Sequence, residues 1–403
     1  MNEAKFRLGY VVSHPIQYQA PLFRRLAMEP ELDLEVLFLS DFSVRRYEDP
    51  GFGAPVQWDV PLLEGYRYRV LEHRDPGPVA GFFWPRTRGM ARALREGRYD
   101  AVWFHGYSQW SNLQGVYWCR NAGVPYFVRT EMWRLTASRP KLFGPLKEAM
   151  VRAIVRNSAG CLYVGEHNRR YYKSLGVRDD RLFFVPYSVN NEFFAQLADE
   201  ARAKREALLK TYGLAEGATK ILFASKLQKR KRVLDLFEAC SRLWNQHGTR
   251  AFELVVVGTG EDEQELRRRV VEGGLTDRVK MLGFRDQRQM AEIMGLCDVF
   301  VLPSDREPWG LVVNEAMAAG LPVVVTDEVG CAPDLVRPNE NGFVVPVGDV
   351  DALANALGKL VASEPLRGAM SKRSREIVDE YSYEADVRGI LQAIRSVKGV
   401  GKR

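Results

Sequence analysis

Short apolar runs rich in β-branched and aromatic residues alternate along this chain with amphipathic stretches of helical period. That alternation marks parallel α/β layers, in which strands buried on both faces read as near-continuous hydrophobic runs. In the first half, the runs Arg7–Val12, Leu34–Leu39, Ala101–Phe104, Tyr126–Val128 and Gly160–Val164 predict strands, and Pro21–Met28 predicts a helix after the first of them. The second half repeats the theme, with strands at Ile221–Ala224, Phe252–Val257, Val299–Leu302 and Pro322–Val325 and helices over Val233–His247 and Leu311–Ala319. Gly320 follows the latter helix where a left-handed C-terminal cap belongs. Between the two sets, Val189–Gly217 is polar, rich in Ala, Lys, Arg and Glu, and without a strand signal. A domain boundary therefore falls at its start, near residue 190.

The 403 residues exceed the usual size of one hydrophobic core, which fits two domains. Hydrophobic residues make up 46% and charged residues 27%, as in ordinary globular proteins. No apolar run reaches the roughly 18 residues of a membrane span, and the first apolar stretch reads as a strand, not as the core of a secretory leader. Cys119, Cys161, Cys240, Cys297 and Cys331 are odd in number, far apart and form no CxxC pair. Reduced thiols in a cytoplasmic protein are expected, ahead of disulfides or a zinc site. The net charge of +7 is uneven: residues 1–190 hold 27 Lys+Arg against 19 Asp+Glu, and the remainder 31 against 32. A basic first half suits an anionic substrate or an anionic membrane surface.

The most informative stretch is Pro303-Ser-Asp-Arg-Glu307-Pro-Trp-Gly310-Leu-Val-Val-Asn-Glu315-Ala-Met-Ala-Ala-Gly320-Leu-Pro322. A strand ends at Leu302, a tight polar loop follows, and a helix starts near Leu311. The amides of Gly310, Leu311 and Val312 are donors without an acceptor inside that helix, at the positive end of its dipole. Such a start suits a diphosphate, and Gly310, lacking Cβ, lets backbone approach phosphate oxygens. Glu307 on the loop and Glu315 just over one turn into the helix flank the anion position. Carboxylates there repel phosphate but are suited to accept hydrogen bonds from sugar hydroxyls on either side of it.

This block resembles the E-x7-E region of group 1 retaining glycosyltransferases of the GT-B fold. Seven residues separate Glu307 from Glu315, and A-M-A-x-G-x-P, Thr326-Asp327, Asn341-Gly342-Phe343-Val344-Val345 and Asp349-Val350-Asp351 follow as in that family. A bare pair of glutamates at this spacing is common by chance; the whole block from 298 to 355 is specific. Upstream, Ala224-Ser225-Lys226-Leu227-Gln-Lys-Arg-Lys231-Arg232 is similar to the family's G-R-L-x-x-x-K-G segment. By that resemblance Lys226 stands for an arginine, Lys231 matches the lysine, and both meet the donor diphosphate. Lys226 brings a point charge without the fork of arginine, and Ser225 and Arg232 occupy positions of glycine. Val257-Gly258-Thr259-Gly260-Glu261 resembles the glycine loop beneath the nucleotide, and Met281–Arg285 the segment that brackets the base; Gly258 and Arg285 are carried over as donor contacts. Asp100–Gly106 resembles the V-x-H strand end, whose histidine, here His105, faces the donor sugar. Pro186-Tyr187-Ser188-Val189-Asn190 resembles the hinge P-N-G-V-D but departs from it at Tyr187, Ser188 and Asn190.

The resemblance implies an α/β protein of GT-B architecture, two Rossmann-like domains facing each other across a cleft. Residues 1–190 would bind the acceptor, 191–380 the donor, and 381–403, through a helix near Tyr381–Ser396, would return to the first domain. It implies transfer of a hexose from a UDP- or GDP-linked donor, with retention, to a hydroxyl of a glycan or lipid-linked glycan of envelope polysaccharide biosynthesis. Glu307 would hold sugar hydroxyls and Glu315 ribose hydroxyls. Lys226, Lys231 and the helix start would stabilise the leaving diphosphate, with His105 orienting groups near the anomeric carbon. No cofactor or metal is expected: those cations replace it, and no DxD pair stands in a matching context, Asp262 and Asp286 being isolated.

On the acceptor side, Ser13–Pro21 replaces the family's glycine-rich first loop. Its His14, Gln17 and Tyr18 offer donors, acceptors and a stacking face for a sugar, and Glu131 follows another strand end. The basic amphipathic run Leu142–Val155 is expected to pack on the core, ahead of docking on anionic lipid. The expected setting is cytoplasmic, with peripheral association at the inner membrane face as a further possibility and no nucleic-acid partner. Alternatives are a GT-B sugar-nucleotide epimerase or phosphorylase, separable by product analysis, and a non-catalytic sugar-nucleotide-binding protein, disfavoured by the presence of Glu307 and both lysines.

Overall fold

The computed structural model describes residues 4–45, 47–49, 54–56, 60–74, 81–133, 144–247 and 252–398. The chain divides into two compact units, one from Met1–Tyr47, Val56–Tyr187 and Tyr383–Arg403, the other from Glu48–Pro55 and Ser188–Ser382.

The first unit is built on β1 (Phe6–Val12) and β2 (Leu32–Phe38); β3 (Tyr47–Asp49) and β4 (Ala54–Val56), which fall mostly within the Glu48–Pro55 segment of the other unit, form a two-stranded sheet of their own among the described residues. After β5 (Arg67–Val70), the short strands β6 (His73–Arg74) and β7 (Arg86–Thr87) pair antiparallel. The sheet is completed by β8 (Ala101–His105), β9 (Tyr126–Arg129), β10 (Gly160–Tyr163) and β11 (Leu182–Phe184). Its order is β11-β10-β9-β8-β1-β2-β5, with parallel neighbours throughout. Successive side chains of a strand point to opposite faces, and here both faces are apolar. Leu8, Tyr10 and Val12 join one core with Leu22, Phe23 and Leu26 of α1 (Ala20–Ala27) and with Val387, Ile390 and Ile394 of the C-terminal helix Tyr383–Lys398. Val11 lies in the core of the other face, beneath α2 (Met90–Gly97), α3 (Trp110–Ala122), α4 (Gly144–Arg156) and α5 (Glu166–Ser174).

In α4, Val151, Ile154 and Val155 belong to that core, whereas Leu146 and Met150 are exposed. The basic amphipathic run thus packs through its last turns, and its residues Leu142 and Phe143 lie outside the described residues.

The second unit begins with α6 (Asn191–Ala203), whose first turn is capped by Asn190 Oδ1 accepting from the Phe193 amide at 3.1 Å, and α7 (Arg205–Tyr212). Its strands are β12 (Thr219–Ala224), β13 (Phe252–Val257), β14 (Val279–Gly283), β15 (Val299–Leu302), β16 (Val323–Thr326) and β17 (Gly342–Val345), in the order β14-β13-β12-β15-β16-β17, all parallel. Connecting helices include α8 (Val233–His247), α9 (Glu263–Glu272), α10 (Gln287–Leu296) and α11 (Leu311–Ala318). Gly320 adopts φ +83° just past α11, the left-handed stop its position predicts.

Both sheets follow the doubly wound order, in which the chain runs to one edge and returns beside the first strand. The reversal lies between β1 and β8 in the first sheet and between β12 and β15 in the second. Open α/β sheets bind ligands outside the carboxyl ends of the strands at such a switch point. Each unit therefore presents one such position.

Candidate functional site

At the second sheet's switch point, the loop after β12 meets the loop after β15. The Asp305 amide donates to the Arg230 carbonyl at 2.8 Å, and Arg230 Nη1 donates to the Arg306 carbonyl at 3.1 Å. Thus zipped, the loops bring the Lys231 ammonium into a hydrogen-bonded ion pair with the Glu307 carboxylate, the side chains 8% and 12% exposed. Arg230 Nη1 lies 3.5 Å from the same carboxylate oxygen. Burial pushes the Lys231 ammonium below the usual lysine range, against the pull of Glu307, and the charges of Arg230 and Lys226 push it the same way as burial. The backbone of Glu307 is fixed by its amide donating to the Glu328 carbonyl at 3.1 Å and by its carbonyl accepting from Gly330 at 2.9 Å.

Gly310 precedes α11 at φ +98°, a left-handed conformation. A Cβ there would sit 3.2 Å from both Leu302 Cδ2 and Val329 Cγ1, so sterics and backbone both select glycine. The amides of Gly310, Leu311 and Val312 find no acceptor among the described residues. One turn on, the half-buried Glu315 carboxylate has no hydrogen-bond or ion-pair partner among the described residues, and burial pushes it up to about 8. Burial favours its neutral form, because no charge among the described residues compensates it.

Lys226 is half-buried on the loop that carries Lys231. Gly258 follows β13 at φ +128°, and a Cβ on it would fall 2.0 Å from the Ser225 carbonyl oxygen. The glycine thus lets the two loops touch: the Leu227 amide donates to the Thr259 carbonyl at 2.9 Å. Arg285 Nη1 donates to the Phe284 carbonyl at 3.3 Å, while its Nε is buried without a hydrogen-bond partner among the described residues. Arg232, at a family glycine position, keeps a left-handed φ of 53°, so the turn survives the substitution.

At the first sheet's switch point, β8 ends in His105. Tyr10 stands opposite Trp103 in register, so it shares a face with His105 two residues on, and its hydroxyl lies 2.7 Å from Nδ1. With the Gln19 amide nitrogen 3.3 Å from the same atom, this orientation of the amide makes Nδ1 the acceptor and assigns the ring proton to Nε2. Burial, then the charges of Arg129 and His14, push His105 down to about 3. His14, bonded to Ser13 Oγ at 2.9 Å, is pushed down to about 4 by burial. Both rings are neutral at physiological pH.

Tyr18 packs edge-on against Tyr187 with centroids 5.7 Å apart, and the Tyr187 hydroxyl donates to Glu131. Gln17 is half-buried with no side-chain hydrogen bond among the described residues. In the first unit, then, Tyr10, Gln19 and His105 form one cluster and Tyr18, Tyr187 and Glu131 another. In the second, Lys231, Glu307 and the start of α11 converge.

Tyr10, Gln19 and Arg230 are not singled out by sequence patterns, nor are Ser304 Oγ and Asp305 Oδ1, which are buried without hydrogen-bond partners among the described residues in the loop before Glu307. Only strand register could have shown Tyr10; the orphaned oxygens follow a strand end in a loop already marked by its chemistry.

Residues 204–377 match the family described as "Glycosyl transferases group 1", and residues 17–188 that described as "Glycosyl transferase 4-like domain". The chain is 36% identical over 151 residues to the amylovoran biosynthesis glycosyltransferase AmsK of Erwinia amylovora, an alignment covering 36% of each chain. It is 30% identical over 263 residues to the 2-deoxystreptamine glucosyltransferase of Streptomyces kanamyceticus, covering 64% of this chain and 66% of that one. The chain spans 36–49% of the length of three curated relatives it matches, AmsK among them. Among solved structures, HepE of Anabaena in complex with UDP superposes with a TM-score of 0.73 at 17% identity, over 98% of this chain and all of that one. No helix among the described residues is long and apolar enough to cross a membrane.

Proposed function

From a chain that belongs to the group 1 glycosyltransferases and has their GT-B fold, we propose a hexosyltransferase that takes its sugar from a nucleoside diphosphate and retains the anomeric configuration. The observation that carries this reading is the convergence of Lys231, Glu307 and the unclaimed amides of α11 at one switch point. A diphosphate on those amides, with Lys226 and Lys231 alongside, meets hydrogen-bond donors and cations. The carboxylates of Glu307 and Glu315 suit the hydroxyls of the sugar and of the ribose.

In the proposed step the acceptor hydroxyl oxygen bonds to the anomeric carbon on the face from which the diphosphate departs. The bond from that carbon to the diphosphate oxygen breaks, its electron pair stays on the diphosphate, and the diphosphate takes the hydroxyl proton. The lysines and the helix start stabilise the charge that develops, so the reaction as proposed requires no metal. His105, neutral and donating from Nε2, orients groups on the sugar without acting as nucleophile; Glu315 grips the nucleoside.

The donor is proposed to be linked to UDP or GDP. HepE is described in complex with UDP-glucose, and a Corynebacterium glutamicum relative as GDP-mannose-dependent. A glycan or lipid-linked glycan acceptor agrees with relatives described as amylovoran and lipopolysaccharide core glycosyltransferases. The exposed Leu146 and Met150 in the first half of α4 support peripheral binding to anionic membranes, for which vesicle sedimentation is the direct check.

A thermal-shift panel of nucleoside diphosphate sugars tests the donor, because a specific ligand stabilises by mass action. NMR of the product then gives the anomeric configuration. Release of nucleoside diphosphate without a new glycoside would defeat the transferase reading, and an inverted product would defeat the retaining one.

A further inference from the structure

The first unit carries a second feature that none of this chemistry uses. Between the β6–β7 pair and the start of α3 lies a cavity of about 400 Å³ whose lining includes Arg74, Arg86, Arg88, Phe83, Trp110 and Gln114. No carboxylate lines it among the described residues. The antiparallel register sets Arg74 directly opposite Arg86. Like charges across such a pair repel, and none of the three arginines has an ion-pair partner among the described residues. Nearby arginines behave otherwise: Arg69 pairs with Glu96 at 3.0 Å and Arg92 with Glu72 at 3.5 Å. The cavity thus concentrates positive charge that no carboxylate among the described residues neutralises.

Its other wall is aromatic. Phe83 is 58% and Trp110 48% exposed, with centroids 6.3 Å apart. The wall is preformed: the Trp110 amide donates to the Phe82 carbonyl at 2.8 Å, and Gln109 Nε2 donates to the Trp84 carbonyl at 3.2 Å. Flat apolar rings beside forked cations, with Gln114 for hydroxyls, match a pyranose that carries an anionic group. The ring's C–H face stacks on the aromatics, and a carboxylate or phosphate takes paired hydrogen bonds from guanidinium. The size is that of a small-ligand site.

We infer that this cavity binds an anionic sugar residue, a uronic acid or a sugar phosphate, and that on the glycosyltransferase reading this residue belongs to the acceptor. A sugar fits better here than a membrane surface, because Phe83 and Trp110 line the same cavity as the three arginines.

The test is isothermal titration of the full chain with cellobiouronic acid, glucose 6-phosphate, cellobiose and inorganic phosphate. At least one charged sugar is expected to bind about tenfold or more tighter than cellobiose and than phosphate alone, and the stronger of the two identifies the anion. Arg86→Ala and, independently, Arg88→Ala should each weaken it about tenfold. Trp110→Ala should weaken charged and neutral sugars alike, and UDP and GDP binding should be unchanged in all three variants. Arg74→Gln should lose sugar affinity yet melt at or above the wild type, since it relieves a like-charge pair. Equal binding of cellobiose, phosphate matching both charged sugars, or binding only to phosphatidylglycerol vesicles overturns the inference. Arginine-dependent sugar binding by a chain that transfers no sugar from any donor would uphold the site and sink the transferase reading instead.

Discussion

The Lys231 ammonium and the Glu307 carboxylate are bonded to each other, one from the loop after β12 and the other from the loop after β15. On the proposed reading each must turn to the donor, so the pair holds both groups in place until the donor arrives. Glu307→Gln and Lys231→Ala are each expected to lower turnover on the order of 100-fold, and the double variant no further than the worse single, because the two act as a unit. Stability should separate them. Without Lys231, Glu307 keeps Arg230 at 3.5 Å; without Glu307, the buried Lys231 keeps no carboxylate. Breaking a fully buried pair costs about 3–5 kcal/mol, and thermal melts should show Glu307→Gln falling further than Lys231→Ala. Wild-type turnover in both variants would defeat the assignment.

Glu315 makes the stability of the protein pH-sensitive. Its carboxyl stands at about 8, above the ordinary 4.5, so the folded chain holds the extra proton between those values. Stability from this group is full below pH 4.5 and is lost as pH rises toward 8, with a slope of at most about 1.4 kcal/mol per pH unit. Glu315→Gln should flatten that part of the curve in urea melts across the window. If the carboxylate accepts ribose hydroxyls, nucleotide affinity should rise with pH through about 8 and the rise should vanish in the variant. Identical pH curves for the two proteins would refute the account.

His105 carries the opposite sign. Its pKa of about 3 lies below the usual 6.5, so the stability it contributes is present above pH 6.5 and lost as pH falls toward 3. Nitrogen NMR should show a neutral ring with its proton on Nε2 throughout the neutral range, and the turnover profile should lack an inflection from this residue. Tyr10→Phe removes the 2.7 Å partner of Nδ1 at a cost of about 1 kcal/mol, and should lower turnover by freeing the tautomer. A ring that charges near pH 6.5 would overturn this.

Much of this was legible because it is local in sequence. Val233–His247, Phe252–Val257 and Val299–Leu302 are apolar patterns bounded by turn residues, and their ends match the structure to the residue. Arg67–Val70 escapes such reading because RYRV is an exposed-to-half-buried edge strand with no apolar run. Glu307 and Lys231 are each marked by neighbours in sequence. Their mutual bond is not, since it spans 76 residues and exists only because β12 and β15 are adjacent. Tyr10 reaches His105 across 95 residues for the same reason, through β1 and β8. Side chains that act across a switch point become visible only once the strand order is known.

Arg232 gives the last prediction, from two opposing magnitudes. It sits at φ 53° and ψ 38°, left-handed, beside Lys231. A side chain in that conformation costs about 1–2 kcal/mol, which glycine avoids. Against this, Arg232 reaches Asp235 through Nε at 2.7 Å and Nη2 at 2.6 Å, a part-exposed pair of about 0.2–1 kcal/mol. Arg232→Gly loses the pair and the strain together and should melt at or slightly above the wild type. Arg232→Ala loses the pair and keeps the strain, and should melt lowest. Turnover should survive in the glycine variant, because the turn that presents Lys231 is then relaxed in the conformation it already holds. An alanine variant as stable as the glycine one would show that the backbone here is not strained and that Arg232 is held by its contacts instead.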